Sequence, residues 1–399
     1  MGTHLWKNWH AWRDQRPELE NCDSELQSDI SFQGPPVSFG PYTLSPITRS
    51  PSSVGPAIVL HSGIHADLIP RPVVNGELAA PDVSAWHGGA DEDEIAALTS
   101  LILGVRLRYA GTFRLSGFHE NIGDLPPVHR EVPRLVRPGR PGREILPRTV
   151  TRPADLAGLT RLDTFPYLDE GSQVAIVRAA RSYADAIWWA NEDPNQSWLQ
   201  LVTAVELAAK ARQSRTKDHL ALLEEFLPRV WAALDTVSDE ARQKVAKELA
   251  PLSGATRSFV DFVCECAPPP PANRPPRDEA VNWEDMRSHA TTIYRHRSMA
   301  LHAGVPFPLP MLEDPAVDDA DTIQEVAGGH STAGLGGIWK ASDYPMNLST
   351  FEHIARGAIL RWWDELIGAA GNVTVRLPSQ SVQTGCPPAR SRLGSLPGP

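Results

Sequence analysis

The feature that most constrains the fold is a helical spacing of apolar residues that recurs through the C-terminal half of this 399-residue chain. Segments with the spacing i, i+3, i+4, i+7 lie at about 176–190, 198–208, 220–234, 240–249, 259–263, 282–302 and 351–367. This spacing puts apolar side chains on one face of a helix. Proline or glycine separates the segments, and helices joined in this way form a bundle. We therefore expect an all-α C-terminal half.

The N-terminal half has a different pattern. The run Ala57–Leu60 and the pair Val73-Val74, bounded by Gly and Pro, predict strands. Four acidic residues, 91–94, precede apolar residues at helical spacing up to Val105, which predicts a helix with carboxylates at its N-terminus. The fold class expected is thus a small α+β domain followed by an all-α helical bundle.

These patterns divide the chain into successive regions. The predicted regions are a poorly patterned segment 1–55, a small α+β domain 56–128, an Arg/Pro-rich linker 129–170, a helical bundle 171–370 with a long insertion at 308–347, and a disordered tail 371–399. Proline at the density found in the linker prevents a stable helix. Its arginines have two interpretations: an arm along a phosphate backbone, or an interdomain connector that meets acidic surface on this protein. The second is favoured.

Composition limits the class of protein. The net charge of −10 argues against a surface coated with basic groups for nucleic acid, although a local basic groove stays compatible with it. The four cysteines form no disulfide framework, and Cys264 and Cys266 lack the second pair of a zinc site. We expect neither a metal nor a cofactor. No run approaches the ~20 apolar residues of a membrane span, and the N-terminus lacks a secretory core, so a cytoplasmic location is expected.

The predicted helix 282–302 carries an arginine on its apolar face. Arg297 interrupts a stripe formed by Met286, Ala290, Ile293, Ala300 and Leu301. A guanidinium stays charged, so at such a position it needs a carboxylate, carbonyl groups or a bound phosphate.

A histidine and a serine accompany this arginine. Ser298 and His302 are separated by one helical turn, and His302 lies in the last turn, where the helix dipole favours the imidazolium form. An imidazole there can give or take a proton near neutral pH, and Arg297 can stabilise charge on phosphoryl oxygens. RNA supplies its own nucleophile, the 2′-hydroxyl, so this set predicts metal-independent cleavage to a cyclic phosphate and a 5′-hydroxyl. The alternative is structural: a histidine that caps carbonyls and an arginine that binds an internal carboxylate.

The segment from Tyr294 to Gly304, which reads Y-R-H-R-S-x3-H-A-G, resembles the R-x4-6-H signature of the HEPN superfamily in its Apea-like branch. The segment Leu199–Glu206 is similar to an earlier helix of that branch, which ends in Ala-x-Glu. The resemblance covers about 172–370. It implies a helical bundle that forms a homodimer, with Arg297 as the phosphate-binding residue and His302 as the catalytic histidine of an RNA-cleaving site, often in defence or toxin systems.

Several details stay open at this stage. The residue after the arginine is often Asn, Asp or His in active members, and here it is Ser298. A second register, R-x6-H, runs from Arg295 to His302 and has His296 as the residue after the arginine. Arg297 is preferred because it lies on the apolar stripe. Glu206 either pairs with Arg297 inside the bundle or makes an exposed i, i+4 pair with Lys210.

Two functions follow. One is a HEPN endoribonuclease or ribonuclease-like effector that acts as a homodimer on RNA. The other is a non-catalytic module for dimerisation or for nucleotide or RNA binding, whose N-terminal domain senses an unknown trigger ligand or partner.

Overall fold

The computed structural model describes residues 2–47, 56–68, 73–74, 77–78, 82–117, 128–130, 132–133, 144–149, 153–216, 220, 223–224, 228–234, 237–249, 254–318, 321–327 and 331–370. Within them an α+β N-terminal part is followed by a mainly helical part, as the sequence predicts. The helices are α1 (His4–Arg13), α2 (Asp91–Leu103), α3 (Glu170–Trp189), α4 (Pro194–Thr216), α5 (Pro228–Ala233), α6 (Asp239–Leu249), α7 (Ala255–Cys266), α8 (Met286–Ala303), α9 (Leu309–Leu312) and α10 (Leu348–Ala370). The strands are β1 (Glu20–Gln27), β2 (Phe32–Gln33), β3 (Val37–Phe39), β4 (Tyr42–Ile47), β5 (Ala57–Ile64), β6 (Val73–Val74), β7 (Glu77–Leu78), β8 (Arg108–Gly117), β9 (Val128–His129), β10 (Ala154–Asp155), β11 (Ser331–Gly334) and β12 (Gly337–Lys340).

A six-stranded antiparallel sheet organises the N-terminal part, in the order β3-β4-β5-β1-β8-β9. Strand β1 is central and pairs with β5 on one side and β8 on the other. The side chain of Asn8 on α1 donates to the Tyr42 hydroxyl and to the carbonyl of Gly63, each at 2.9 Å, and so fixes α1 against β4 and β5.

The segment 1–55, for which the sequence predicts little pattern, therefore contains α1 and strands β1 to β4. The prediction missed β1 because its sequence, ENCDSELQ, has only two apolar residues, Cys22 and Leu26. Pairing with a strand on each side satisfies the backbone hydrogen-bonding groups of β1. The polar side chains of Ser24 and Glu25 are buried together with Cys22 and Leu26. Strand identity here comes from the neighbouring strands rather than from local hydrophobicity.

The bundle is built around Trp198 of α4, which is fully buried. Its ring stacks between those of Phe307 and Phe351, at centroid distances of 5.2 and 4.9 Å. Its indole nitrogen donates to the carbonyl of Met311 at 2.8 Å, so the polar tip is satisfied. Trp362 and Trp363 of α10 are both buried as well.

The two parts share one apolar core. Helix α2 packs against both β8 and α3, and a single cluster of buried residues runs from Leu5 of α1 to Leu366 of α10. The segment expected to be a linker adds to it, because Leu146, Leu159 and Phe165 are buried there. The segment expected to be a linker therefore contributes buried side chains to the core.

Several predictions fall partly or wholly outside the described residues. The predicted tail 371–399 lies outside them. So do most arginines of the predicted linker: Arg134, Arg137, Arg140, Arg143 and Arg152. Arg130 is described and lies 2.7 Å from Asp93, the contact expected of a connector that meets acidic surface. In the insertion 308–347, the described part holds α9 and the hairpin β11–β12. Among the described residues no helix combines the length and low polarity needed to cross a membrane.

Candidate functional site

Helix α8 presents the motif residues. A 3₁₀ turn, Trp283–Asp285, precedes it, and the side chain of Asn282 caps this turn by accepting from the amide of Glu284. The helix ends at Gly304, whose φ of 65° is in the left-handed region that favours glycine, and whose amide donates to the carbonyl of Met299. The sequence predicted both the helix and its end.

Three of the predicted site residues meet where α8 packs against α4. Arg297 donates from Nη2 to Oε2 of Glu206 at 2.6 Å, and the Tyr294 hydroxyl donates to Oε1 of the same carboxylate at 2.8 Å. The side chains of Arg297 and Glu206 are 20% and 19% exposed. Of the two partners considered for Glu206, the structure therefore has the internal one.

The electrostatics of this trio follow from partial burial. Burial and the neighbouring Glu206 carboxylate raise the pKa of Tyr294 to about 12, so the phenol stays a hydrogen-bond donor at neutral pH. The Arg297 guanidinium carbon lies 5.5 Å from the centre of the Tyr294 ring. Its Nε is buried and has no partner among the described residues. Within the described part of the chain, the guanidinium thus has one unsatisfied donor, which is closed to solvent in this arrangement.

Arg295 and His296 belong to a different environment. Both interact with Asp343, which follows β12: the Arg295 guanidinium lies 3.4 Å from its carboxylate, and the His296 Nε2 donates to its carbonyl at 2.6 Å. His296 is buried beside the Phe307 ring, and burial lowers its pKa. The two residues hold the insertion against α8. Their hydrogen-bond partner, Asp343, lies in the insertion and not in the Arg297 group.

His302 and Ser298 lie toward the end of α8. Ser298 is half-buried and His302 is exposed. Three apolar residues near His302 are also open to solvent: Met299 is 39% exposed, Leu301 53% and Val305 42%. Leu301 was expected on the buried stripe. That expectation is wrong, because the last turn of α8 extends beyond the helices that cover Ile293 and Ala290.

Asp343 was not anticipated, since no spacing in the sequence relates it to α8. His61 and His65, four residues apart in sequence, have separate partners: His61 lies on β5 with Nδ1 2.7 Å from Asp23, and His65 Nδ1 bonds to the carbonyl of Arg16. The described residues that could hold a metal are instead His4, His87 and Glu94, in the sheet half.

Comparisons with protein-family models, with curated proteins and with solved structures found no match. The likeness to HEPN proteins therefore rests on the residues quoted above, and the function derived from it is a proposal.

Proposed function

We propose that this chain is a metal-independent endoribonuclease of the HEPN type, active as a homodimer and suited to a defence or toxin-type response. The observation that supports it best is the placement of Arg297. It is oriented by Glu206 and Tyr294 at a partly exposed position, five residues before the exposed His302 on the same helix. A phosphate binder and a proton carrier on one helix supply, in two copies, the groups that this chemistry needs.

The reaction balances without a metal. The RNA 2′-hydroxyl oxygen attacks the adjacent phosphorus while its proton passes to a neutral imidazole, His302 of one copy. The bond from phosphorus to the 5′-oxygen breaks, and the protonated His302 of the second copy gives its proton to that oxygen. Arg297 stabilises the charge that builds on the non-bridging oxygens. The products are a 2′,3′-cyclic phosphate and a 5′-hydroxyl.

The need for a second copy is consistent with the surface around His302. Met299, Leu301 and Val305, all within three residues of it along the chain, are each more than a third exposed. An exposed apolar side chain there could be covered by a second copy. A two-fold contact through this end of α8 would bring two copies of His302 near each other, as the family resemblance implies.

A second function is favoured by one specific observation. Glu206 already neutralises Arg297 at 2.6 Å, so a phosphate would have to compete with an internal carboxylate. The chain would then be a non-catalytic HEPN module for dimerisation or for nucleotide or RNA binding, with the N-terminal part sensing a ligand. The small Ser298 and the net charge of −10 agree with it.

The decisive experiment is cleavage of single-stranded RNA by purified protein in the presence of EDTA. We expect products that end in cyclic phosphate and 5′-hydroxyl, and we expect His302→Ala to abolish them. The matched control is His289→Ala on the same helix, because that imidazole bonds to the carbonyl of Asn282 and lies outside the motif. It should cleave like the wild type.

Equal cleavage by wild type and His302→Ala would reject the nuclease. RNA binding without cleavage would favour the non-catalytic module. The salt dependence of that binding then tests whether Arg297 contacts an RNA phosphate. If Arg297 binds a phosphate, Arg297→Ala should reduce the slope of log K against log[salt] by about one.

A further inference from the structure

A second cluster of donor atoms lies in the sheet half. His4 is the first residue of α1, Glu94 lies in the first turn of α2, and His87 is in the segment that leads into α2. One ligand atom from each lies within 4.8 Å of the others. Two imidazoles and one carboxylate form a donor set that Zn²⁺ takes, with a fourth position left for water.

The carboxylate is deeply buried. Glu94 is fully inaccessible, and its oxygens accept from the backbone amides of His4 at 2.9 Å and Leu5 at 2.8 Å, the first turn of α1. Oε1 also lies 2.6 Å from Nε2 of His87. In the described part of the chain, no lysine or arginine forms an ion pair with Glu94. Its charge is instead balanced by the positive ends of α1 and α2 and by the neighbouring imidazoles of His87 and His4.

His87 is enclosed by protein as well. Its side chain is 3% exposed, and its Nε2 faces the Glu94 carboxylate. Nδ1, on the opposite edge of the ring, is buried without a hydrogen-bond partner among the described residues, and a metal at Nε2 would leave it so. His4 is half-buried with its ring centroid 6.0 Å from that of His87, so the site has one side nearer to solvent.

We propose that His4, His87 and Glu94 form a binding site for a divalent transition metal of the zinc class. The metal takes the place of the proton shared between His87 and Glu94, and the two donor atoms separate to roughly 3.4 Å, the spacing of neighbouring ligands in a tetrahedral zinc site. The amides of His4 and Leu5 already orient the carboxylate, as outer-shell donors do.

A metal bound there would link the start of α1 to the start of α2 and so stabilise the N-terminal part. It shares no residue with the Arg297 group on α4 and α8, and it plays no part in the cleavage step. The proposal thus goes beyond the proposed nuclease, and either can fail without the other.

The test uses the full chain, stripped with a chelator and titrated with Zn²⁺ by calorimetry, with Co²⁺ as a spectroscopic probe. We expect one metal per chain, a rise in thermal midpoint on adding Zn²⁺, and visible absorption bands of four-coordinate Co²⁺ without thiolate bands. His4→Gln removes the ring but keeps the amide that caps Glu94. It should weaken Zn²⁺ binding at least about 10-fold, since even the loss of an outer-shell partner does so.

The control is His61→Gln, which changes a 45% exposed histidine on β5 and should bind like the wild type. His87→Gln provides the second variant, and the Co²⁺ spectrum of any folded fraction should lose its bands. Absence of binding, binding with thiolate bands, or unchanged affinity in His4→Gln would each overturn the site and leave a hydrogen-bonded histidine beside a helix cap.

Discussion

Breaking the contact between Arg297 and Glu206 should have a measurable and asymmetric cost. The pair is intermediate in burial, with about a fifth of each side chain exposed. Removing one partner of a fully buried pair costs about 3–5 kcal/mol, whereas exposed pairs contribute about 0.2–1 kcal/mol. A charge-assisted hydrogen bond at 2.6 Å in this setting should contribute about 2 kcal/mol. Glu206→Gln should cost more than Arg297→Met, because it also weakens the acceptor for Tyr294.

The assay is a double-mutant cycle by urea unfolding with Glu206→Gln, Arg297→Met and the double variant. We expect a coupling energy of about 2 kcal/mol. The control is the i, i+4 pair Glu240 and Lys244, whose side chains are 82% and 76% exposed and which should couple by about 0.3–0.5 kcal/mol. A coupling below about 0.5 kcal/mol for Arg297 and Glu206, the usual error of additivity, would refute the argument and leave Arg297 without a fixed internal partner.

Three further outcomes are expected. Burial lowers the pKa of His296, so the folded state disfavours its charged form. The free energy of unfolding should therefore fall as the pH drops below about 6.5. In urea unfolding at pH 5 to 8, His296→Gln should remove the part of this pH dependence that comes from His296. Gly304→Ala should cost about 1 kcal/mol in the same assay, because a side chain there meets nothing within 4 Å and only the positive φ is unfavourable; no loss would argue against the left-handed cap. Leu301→Glu should shift the protein toward monomer in light scattering and lower the thermal midpoint, because binding of a second copy stabilises the folded state; Leu335→Glu, at a 94% exposed leucine between β11 and β12, should change neither.

The long helices were predictable because their information is local. The spacing over 282–302 anticipated α8 at Met286–Ala303, and the acidic start of α2 was placed at Asp91. A repeating apolar face and a glycine cap determine such a helix without knowledge of its neighbours. The coarse order, α+β followed by helices, came from the same signals.

What sequence could not give depends on partners that are far apart along the chain. Strand β1 is a strand because β5 and β8 pair with it, and its own residues are mostly polar. The choice of Glu206 between Lys210 and Arg297 depends on the register of α4 against α8. Periodicity placed Leu301 on the apolar face of α8. Whether a neighbouring element covers that position depends on packing, and in the structure Leu301 is exposed.

Helix α2 has a consequence for any attempt to dissect this protein. Its residues Ile95 and Leu98 lie in the same buried cluster as Ile176 and Val177 of α3, so it lines both the sheet and the bundle. A fragment that starts at residue 171 would lose that lining and leave the apolar side of α3 in water. The proline-rich stretch between the halves marks a change in composition, yet cutting there divides a single apolar core.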